Sequence, residues 1–123
     1  MNSKNALLVD DDPVVLMLVS QYLINLGFSV KKALSLYEAE RVVETAAPSV
    51  ILLDLFLSDG DNTSFLEFLS SGDVVAPPVV IMTSHDDVAG IIGDSGHYAG
   101  VLRKPFSQSE LLVCLSDLGF VCS

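Results

Sequence analysis

Four short groups of residues in this sequence carry side chains suited to binding a metal ion and a phosphoryl group. Carboxylates occur at Asp10, Asp11 and Asp54, a hydroxyl at Thr83 and an ammonium group at Lys104. Hard cations such as Mg²⁺ prefer oxygen ligands and usually take one or two carboxylates. Phosphoryl transfer depends mainly on positioning and on charge neutralisation. Together, these side chains would supply a carboxylate nucleophile, a metal site and groups that neutralise phosphoryl oxygens.

The segments that must position these side chains alternate between predicted strands and predicted helices. Three continuous apolar runs are typical of parallel strands covered on both faces, and one alternating run is typical of an edge strand. A brief apolar pair near the C-terminus is a fifth candidate. The five predicted strands lie at residues 6–9, 28–31, 50–53, 79–82 and 101–102.

Capping signals between the strands predict the helices. Asp12 and Pro13 form an N-cap and first-turn pair, and Gly27 is a matching stop signal. Three serines have the Ser-x-x-Glu spacing of a capping box, namely Ser35, Ser64 and Ser107. Four glycines punctuate residues 86–100, and each costs a helix about 1 kcal/mol relative to alanine. We therefore expect a short or mobile fourth helix in that segment.

This alternation predicts a single (βα)₅ domain over residues 1–123, with a doubly wound parallel sheet. The edge-like second and fifth strands favour the flavodoxin-like strand order 2-1-3-4-5. Ligands of such sheets bind at the carboxyl ends of the strands, where the acids, the hydroxyl and the lysine are expected to meet. Carboxylates about 4 Å apart repel by about 4 kcal/mol at an effective dielectric near 20, so a bound cation is expected there.

The ordered motifs resemble the signature blocks of response-regulator receiver domains of two-component phosphorelay signalling. The matching blocks are Val9-Asp10-Asp11-Asp12, Leu53-Asp54-Leu55, Met82-Thr83-Ser84 and Lys104-Pro105-Phe106. One acidic run or one Lys-Pro pair would be a weak signal. The four blocks in this order and spacing are a specific one.

The resemblance implies a role for each site residue. Asp54 would be the phosphoacceptor, receiving its phosphoryl group from phosphohistidine on a histidine kinase or histidine phosphotransfer protein. Mg²⁺ would be held by Asp10, Asp11, Asp54 and the backbone carbonyl of Phe56. Among these ligands, Asp11 would bind the ion directly, and Asp10 largely through water. Thr83 would be the switch hydroxyl.

The resemblance also implies that Lys104 pairs with a phosphoryl oxygen and is followed by a cis peptide bond to Pro105. The plainer interpretation of Asp12 is a helix N-cap, and that of Arg103 is a solvated charge. Asp59 and Asp61 most simply shape the loop after the third strand.

Four positions depart from the pattern of the family. Ser58 stands where a proline is usual, and Asn62 where a glycine is usual. Phe56 occupies the place of a polar side chain near the attacking water, so we expect a long-lived phosphoaspartate. Val101 occupies the place of the switch aromatic, while Tyr98 is three positions out of register. We therefore expect phosphorylation to change residues 86–100 most, which amide hydrogen exchange would reveal.

Three functions remain open at this stage. The first is a phosphoacceptor switch that catalyses only its own phosphorylation and dephosphorylation and is not otherwise an enzyme. The second is a phosphorylation-independent pseudo-receiver, which the retained site residues argue against and Val101 leaves open. The third, a hydrolase with an aspartyl-phosphate intermediate, lacks a second acid near the nucleophile, because Leu55, Phe56 and Leu57 follow Asp54.

Composition narrows the partners. The net charge is −10, from 16 acidic and 6 basic residues, and the basic residues are scattered, which argues against direct nucleic-acid binding. No apolar run approaches the roughly 18 residues of a membrane span, so a cytoplasmic location is expected. Because cytosolic thiols stay reduced, Cys114 and Cys122 are expected to be free thiols. Apolar residues cover nearly every side of the first predicted helix, residues 14–19. That excess is either core or a partner surface, and an effector domain or a homodimer are both open.

Overall fold

Five short strands pair in parallel to form one sheet. They are β1 (Asn5–Val9), β2 (Ser29–Ala33), β3 (Val50–Asp54), β4 (Val79–Thr83) and β5 (Gly100–Arg103). The structure is a computed structural model and describes residues 4–55, 62–70, 76–84 and 98–122. The strand order is β2-β1-β3-β4-β5, and each neighbouring pair is parallel. The predicted flavodoxin-like order is confirmed, with the second and fifth strands at the edges.

The burial of the strands follows from their composition. Every residue of β3 and of β4 is buried, as expected for continuous apolar strands covered on both faces. In the edge strand β2 only Ala33 is buried, and in β5 only Leu102. The two edge strands therefore lie where their polar side chains can remain in water.

Four helices flank the sheet in the described part of the chain. They are α1 (Pro13–Asn25), α2 (Leu36–Ala46), α3 (Asn62–Ser70) and a C-terminal helix (Gln108–Asp117). The predicted N-cap at Asp12 is confirmed, since its side chain accepts the Val14 N–H at 2.9 Å. Gly27, with a φ of 94°, follows the end of α1 in the left-handed region that a stop signal requires.

Two of the three predicted capping serines cap a helix. Ser107 forms the full capping box with Glu110. Ser35 caps α2 by accepting the Glu38 N–H at 3.1 Å. The Glu38 carboxylate accepts a hydrogen bond from the Leu34 N–H rather than from the Ser35 N–H of a full capping box. The third prediction is wrong.

The third helix begins before its predicted cap. Its first residue is Asn62, so Ser64 lies inside the helix. Residues three apart lie on the same face of any helix, so Ser-x-x-Glu spacing also occurs in helix interiors. The spacing alone therefore does not fix the helix start.

Two apolar layers cover the sheet because neighbouring strand side chains point to opposite faces. Leu7 and Val9 of β1 contribute to the layer beneath α2 and α3, while Ala6 and Leu8 contribute to the layer beneath α1 and the C-terminal helix. This arrangement is a doubly wound sheet. The two layers hold the strand ends in fixed positions.

Several features lie away from the strand ends that carry the acids. At the amino end of the sheet, Phe120 packs edge-on against Phe28, and Lys4 lies over the Phe28 ring. Cys114 and Cys122 are free thiols.

Within the described ranges, no helix has the length and apolar character needed to cross a membrane. Residues 85–97, which include most of the predicted fourth helix, lie outside the described residues.

Candidate functional site

The strand register brings the predicted site residues to one edge of the sheet. Asp10 follows β1, Asp54 ends β3, Thr83 ends β4, and Lys104 follows β5. The pairing of Asp54 with Met82 places the ends of β3 and β4 side by side. The pairing of β4 with β5 continues beyond the ladder, because the Lys104 N–H donates to the Thr83 carbonyl at 2.7 Å. The carboxyl edge therefore gathers the acids, the hydroxyl and the lysine, as predicted.

Among the acids that the structure describes at this edge, Asp10 is the most completely enclosed. Its backbone N–H donates to the Ala33 carbonyl at 3.1 Å, which fixes its backbone beside the end of β2. One carboxylate oxygen accepts the Asp12 N–H at 2.9 Å, and the other accepts from Lys104 at 2.8 Å. Its exposed fraction is 0%. A buried carboxylate requires such partners, because losing water without compensation is costly.

Lys104 links two of the acids. Its Nζ lies 2.8 Å from Asp10 Oδ2 and 3.3 Å from Asp54 Oδ1. Burial would lower the pKa of this ammonium group. The hydrogen bond to Asp10 and the charges of Asp54 and Asp10 outweigh burial and raise the pKa above its ordinary value of 10.5. Lys104 therefore carries its charge throughout the neutral range.

The residues after Lys104 hold it in place. The peptide bond to Pro105 is cis, which agrees with the family resemblance. Phe106 is buried, and its ring lies 6.5 Å from that of Tyr22 on α1. Phe106 and the hydrogen bond from Lys104 N–H thus fix the backbone on both sides of the ammonium-bearing residue.

Three acids form a compact cluster. Asp10, Asp11 and Asp54 offer carboxylate oxygens that all lie within 4.8 Å of one another. Asp11 is exposed, whereas Asp54 is 7% exposed. The donor set consists of hard oxygen atoms, and one member faces water where an ion can enter. These properties fit a hexahydrated cation such as Mg²⁺ that exchanges a few waters for carboxylates.

Some of the remaining predicted residues lie in the described part of the chain, and others lie outside it. Thr83 is 1% exposed at the end of β4, and Ser84 beside it is exposed. Asp12 caps α1, so the plainer interpretation of the third acid agrees with the structure. Phe56, predicted to offer a carbonyl to the metal, lies outside the described residues. The same is true of the predictions at Ser58, Asp59 and Asp61.

The structure adds one interaction that the sequence did not reveal. The residue types predicted that Lys104 would serve a phosphoryl group, but its shortest contact is with Asp10. These residues are 94 positions apart, and no local pattern connects them. Only the sheet register could have indicated the pairing.

Comparison with known protein families shows which family this chain belongs to. The sequence model of one protein family, the response regulator receiver domain, matches residues 6–116 of this chain. This chain belongs to that family. The match includes all four motif blocks, from β1 to the C-terminal helix.

Curated relatives of this receiver domain are longer proteins. It is 33% identical over 116 residues to the transcriptional regulatory protein TrcR of Mycobacterium tuberculosis, covering 91% of this chain and 44% of that protein. It is 30% identical over 111 residues to the DNA-binding dual master transcriptional regulator RpaA of Synechocystis, covering 86% of this chain and 45% of that protein. The receiver chain thus spans just under half of the length of these two relatives.

Solved structures show the same fold. The chemotaxis response regulator CheY4 of Vibrio cholerae superposes with a TM-score of 0.85 at 24% identity, covering 95% of this chain and 99% of that one. A response regulator signal receiver domain from Bermanella marisrubri gives a TM-score of 0.84 at 24% identity, covering 95% and 98% of the two chains. At these identities the similarity establishes the receiver fold.

Proposed function

We propose that this receiver is a phosphoacceptor switch in which Asp54 takes a phosphoryl group from a phosphohistidine. The donor is a histidine kinase or a histidine phosphotransfer protein. The observation that carries the proposal is the cluster of Asp10, Asp11 and Asp54 with Lys104 bridging two of its members. It combines a nucleophile, hard metal ligands and a fixed cation at one solvent-accessible edge.

The transfer forms one bond and breaks another. A carboxylate oxygen of Asp54 attacks the phosphorus atom, and the bond from phosphorus to the donor imidazole nitrogen breaks. The electron pair of that bond stays on the imidazole, which is the leaving group. The product is an acyl phosphate on Asp54. Positioning and neutralisation of the phosphoryl oxygens supply most of the catalysis in such reactions.

A magnesium ion fits this site. Asp10, Asp11 and Asp54 would hold it, with the Phe56 carbonyl as a further ligand implied by the family resemblance. Bound there, Mg²⁺ would neutralise negative charge on the phosphoryl oxygens. The two oxygens of Asp10 already accept hydrogen bonds, which supports a water-mediated role for this acid and a direct role for Asp11.

Lys104 and Thr83 act on the phosphoryl group after transfer. Phosphorylation converts the Asp54 carboxylate into a larger dianionic group, and the Lys104 ammonium lies close enough to follow that charge. The Thr83 hydroxyl, at the end of the neighbouring strand, is the group proposed to move toward it. Val101 is 42% exposed and carries no aromatic ring, so the signal does not leave the site by rotation of an aromatic side chain at that position.

Incubation with acetyl phosphate and Mg²⁺, read by intact-protein mass spectrometry, tests the proposal. One phosphoryl adduct is expected with Mg²⁺, and none with a chelator. The competing function is a phosphorylation-independent interaction module, which the valine at position 101 leaves open. Absence of an adduct from folded protein with Mg²⁺ present would support that module and reject the switch.

Replacing Asp11 with asparagine is expected to weaken Mg²⁺ binding at least about tenfold, because the exposed member of the cluster loses its charge. Isothermal titration calorimetry measures the affinity. Asp12→Asn is the matched control, since asparagine caps a helix as well as aspartate and the same net charge is lost one residue away. Equal weakening in both variants would show that general charge, rather than ligation by Asp11, determines the affinity.

Replacing Phe56 with asparagine is expected to shorten the lifetime of the phosphorylated state by about tenfold or more, since a polar side chain would admit and orient the hydrolytic water. Loss of the adduct is followed by mass spectrometry after the phosphodonor is removed. Phe56→Leu, which stays apolar, is the control and should retain the parent lifetime. A fast parent lifetime that the asparagine leaves unaltered would contradict the role assigned to Phe56.

The wider role remains a proposal. The receiver catalyses only its own phosphorylation and dephosphorylation and acts in the cytoplasm. The names of two relatives describe regulators of transcription. An effector domain of that kind would read the state of Asp54 if it is joined to this receiver.

A further inference from the structure

A groove with a volume of about 600 Å³ runs between β5, at the edge of the sheet, and the C-terminal helix. The strand side of the groove consists of four consecutive residues, 99–102. Because neighbouring strand side chains point to opposite faces, a wall that takes four residues in a row includes the backbone edge of the strand. An edge strand presents N–H and C=O groups on its outer side, and an extended segment can add there as a further strand.

The middle of the groove is apolar, and the helix approaches the strand closely there. Val113 is 59% exposed, Cys114 is half-buried and Leu102 is buried. A Cβ on Gly100 would lie 3.2 Å from the Cys114 Sγ, so glycine leaves room for this thiol beside the strand. Burial, and then the charge of Asp117, raise the pKa of the Cys114 thiol. The Asp117 carboxylate therefore acts on the same part of the groove.

Two acids lie toward opposite ends of the groove. Glu110 is in the first turn of the C-terminal helix, and Asp117 is its last residue. Both are exposed, and the seven residues between these positions correspond to about 10 Å along the helix. An added strand of five residues spans about 13 Å, so flexible lysine side chains at its first and fifth positions reach both carboxylates. The side chain of its third residue, on the same face, would lie over the apolar middle.

No basic residue in the described part of the chain lines this groove. All six basic residues of the chain lie within the described ranges, so their positions are known. Lys104 is held by Asp10 and Asp54. Arg103 points to the opposite face of the sheet, because its neighbour Leu102 packs in the layer beneath the C-terminal helix. The other four precede β3 and are Lys4, Lys31, Lys32 and Arg41. The charge of the groove is therefore complementary to a basic segment.

We propose that the groove between β5 and the C-terminal helix binds an extended basic segment of a partner protein, which adds to the sheet as a strand beside β5. Backbone hydrogen bonds to β5 supply affinity, and an apolar side chain fills the middle of the groove. Basic side chains on either side of it pair with Glu110 and Asp117. A contact of about five residues is short, so we expect a dissociation constant of about 10 µM to 1 mM. The inference does not depend on phosphorylation of Asp54.

Fluorescence anisotropy of a rhodamine-labelled peptide, Lys-Thr-Val-Thr-Lys, tests the binding. This peptide is expected to bind in the stated range, whereas Glu-Thr-Val-Thr-Glu should not bind up to about 1 mM. The basic peptide with N-methyl groups on its second and third residues keeps its side chains but lacks two adjacent N–H donors, one of which would face β5. Its affinity should fall at least about fivefold. Equal affinity of the methylated and unmethylated peptides would overturn addition as a strand.

Removing the two groove acids tests the contact from the side of the receiver. Glu110→Gln with Asp117→Asn should weaken binding of the basic peptide about fivefold to tenfold. Glutamine still serves in a capping box, and asparagine removes an unfavourable charge from the end of a helix, so the helix is retained. Glu40→Gln with Glu44→Gln is the matched control, since α2 lies beside β2 at the other edge of the sheet. Equal weakening by the two pairs would indicate general charge attraction and exclude the groove.

The two thiols provide a footprint in the parent protein. Cys114 lines the groove, Cys122 lies outside it, and both are half-buried. Saturating basic peptide should slow alkylation of Cys114 by iodoacetamide at least about threefold at a pH of about 9, where the thiolate is populated, and leave Cys122 unaltered. Peptide mass spectrometry measures both rates. Unchanged alkylation of Cys114, or no binding of the basic peptide up to about 1 mM, would reject the site.

A second copy of this chain is the other occupant that the test must distinguish, because Lys31 and Lys32 lie on the edge strand β2. Sedimentation velocity of the parent is expected to show a monomer at the concentrations used for peptide binding. Self-association that is lost both in Lys31→Glu with Lys32→Glu and in Glu110→Gln with Asp117→Asn would place β2 of a second copy in the groove. That result would overturn the assignment to a partner protein.

Discussion

Replacing Asp54 with asparagine is expected to abolish labelling by acetyl phosphate. An amide cannot serve as the attacking carboxylate, so the rate should fall at least about a hundredfold, to the background of the assay. Intact-protein mass spectrometry with Mg²⁺ present measures the adduct directly. Residual adduct at the parent rate would mean that another residue is the nucleophile.

The stability of this variant provides its control. Asp54→Asn removes an ion pair with Lys104, but it also removes a charge that lies within 4.8 Å of Asp10 and Asp11. The two effects oppose each other, so the free energy of unfolding should stay within about 1 kcal/mol of the parent value. Urea denaturation followed by circular dichroism separates loss of the nucleophile from loss of the fold. A large fall in stability would contradict the opposing charges inferred for this cluster.

Replacing Lys104 with methionine is expected to have the largest effect on stability. Met keeps the length of the side chain but leaves the fully buried Asp10 without its cation. Removing one member of a buried pair costs about 3–5 kcal/mol. Urea denaturation without divalent ions measures the loss. Lys104→Arg, which keeps the charge, is the control and should lose less, whereas equal losses in both variants would contradict the ion-pair explanation.

The pH dependence of the free energy of unfolding provides a second test of the ion pair between Lys104 and Asp10. The Lys104 pKa lies above 10.5 in the folded state, because the hydrogen bond to Asp10 and the two nearby acids outweigh burial. The protonated ammonium therefore stabilises the fold fully at neutral pH and up to about 10.5, and the stabilisation is lost as pH rises through the raised value. The difference between parent and Lys104→Met should shrink in that alkaline range. A difference in the free energy of unfolding that stays constant to high pH would contradict stabilisation by the Lys104 ammonium group.

Much of the fold was predictable because local signals and long-range packing agree here. The buried strands β3 and β4 contain continuous apolar runs, and Asp12 and Ser107 are strong capping residues that do cap helices. The predicted ends of these strands then placed Asp54 and Thr83 at one edge of the sheet. The site was predictable to the level of which residues meet.

The pairing of individual side chains was not predictable. Lys104 approaches Asp10 more closely than Asp54, a distance set by the sheet register and by the buried Phe106 rather than by any short motif. The start of α3 at Asn62 was missed because Ser-x-x-Glu spacing, as at Ser64, also occurs in helix interiors. The apolar pattern of α1 also could not separate its core face from its exposed stripe, since both faces are apolar.

Site-specific mapping of the phosphoryl group tests phosphorylation of Asp54 most directly. The protein is labelled with acetyl phosphate and Mg²⁺, and borohydride then reduces the acyl phosphate to an alcohol before peptide mass spectrometry. The expected result is a homoserine at position 54 alone, lost when Mg²⁺ is chelated. A reduced residue at Asp10, Asp11 or elsewhere, or an unmodified Asp54 in folded protein with Mg²⁺, would contradict the phosphoacceptor role.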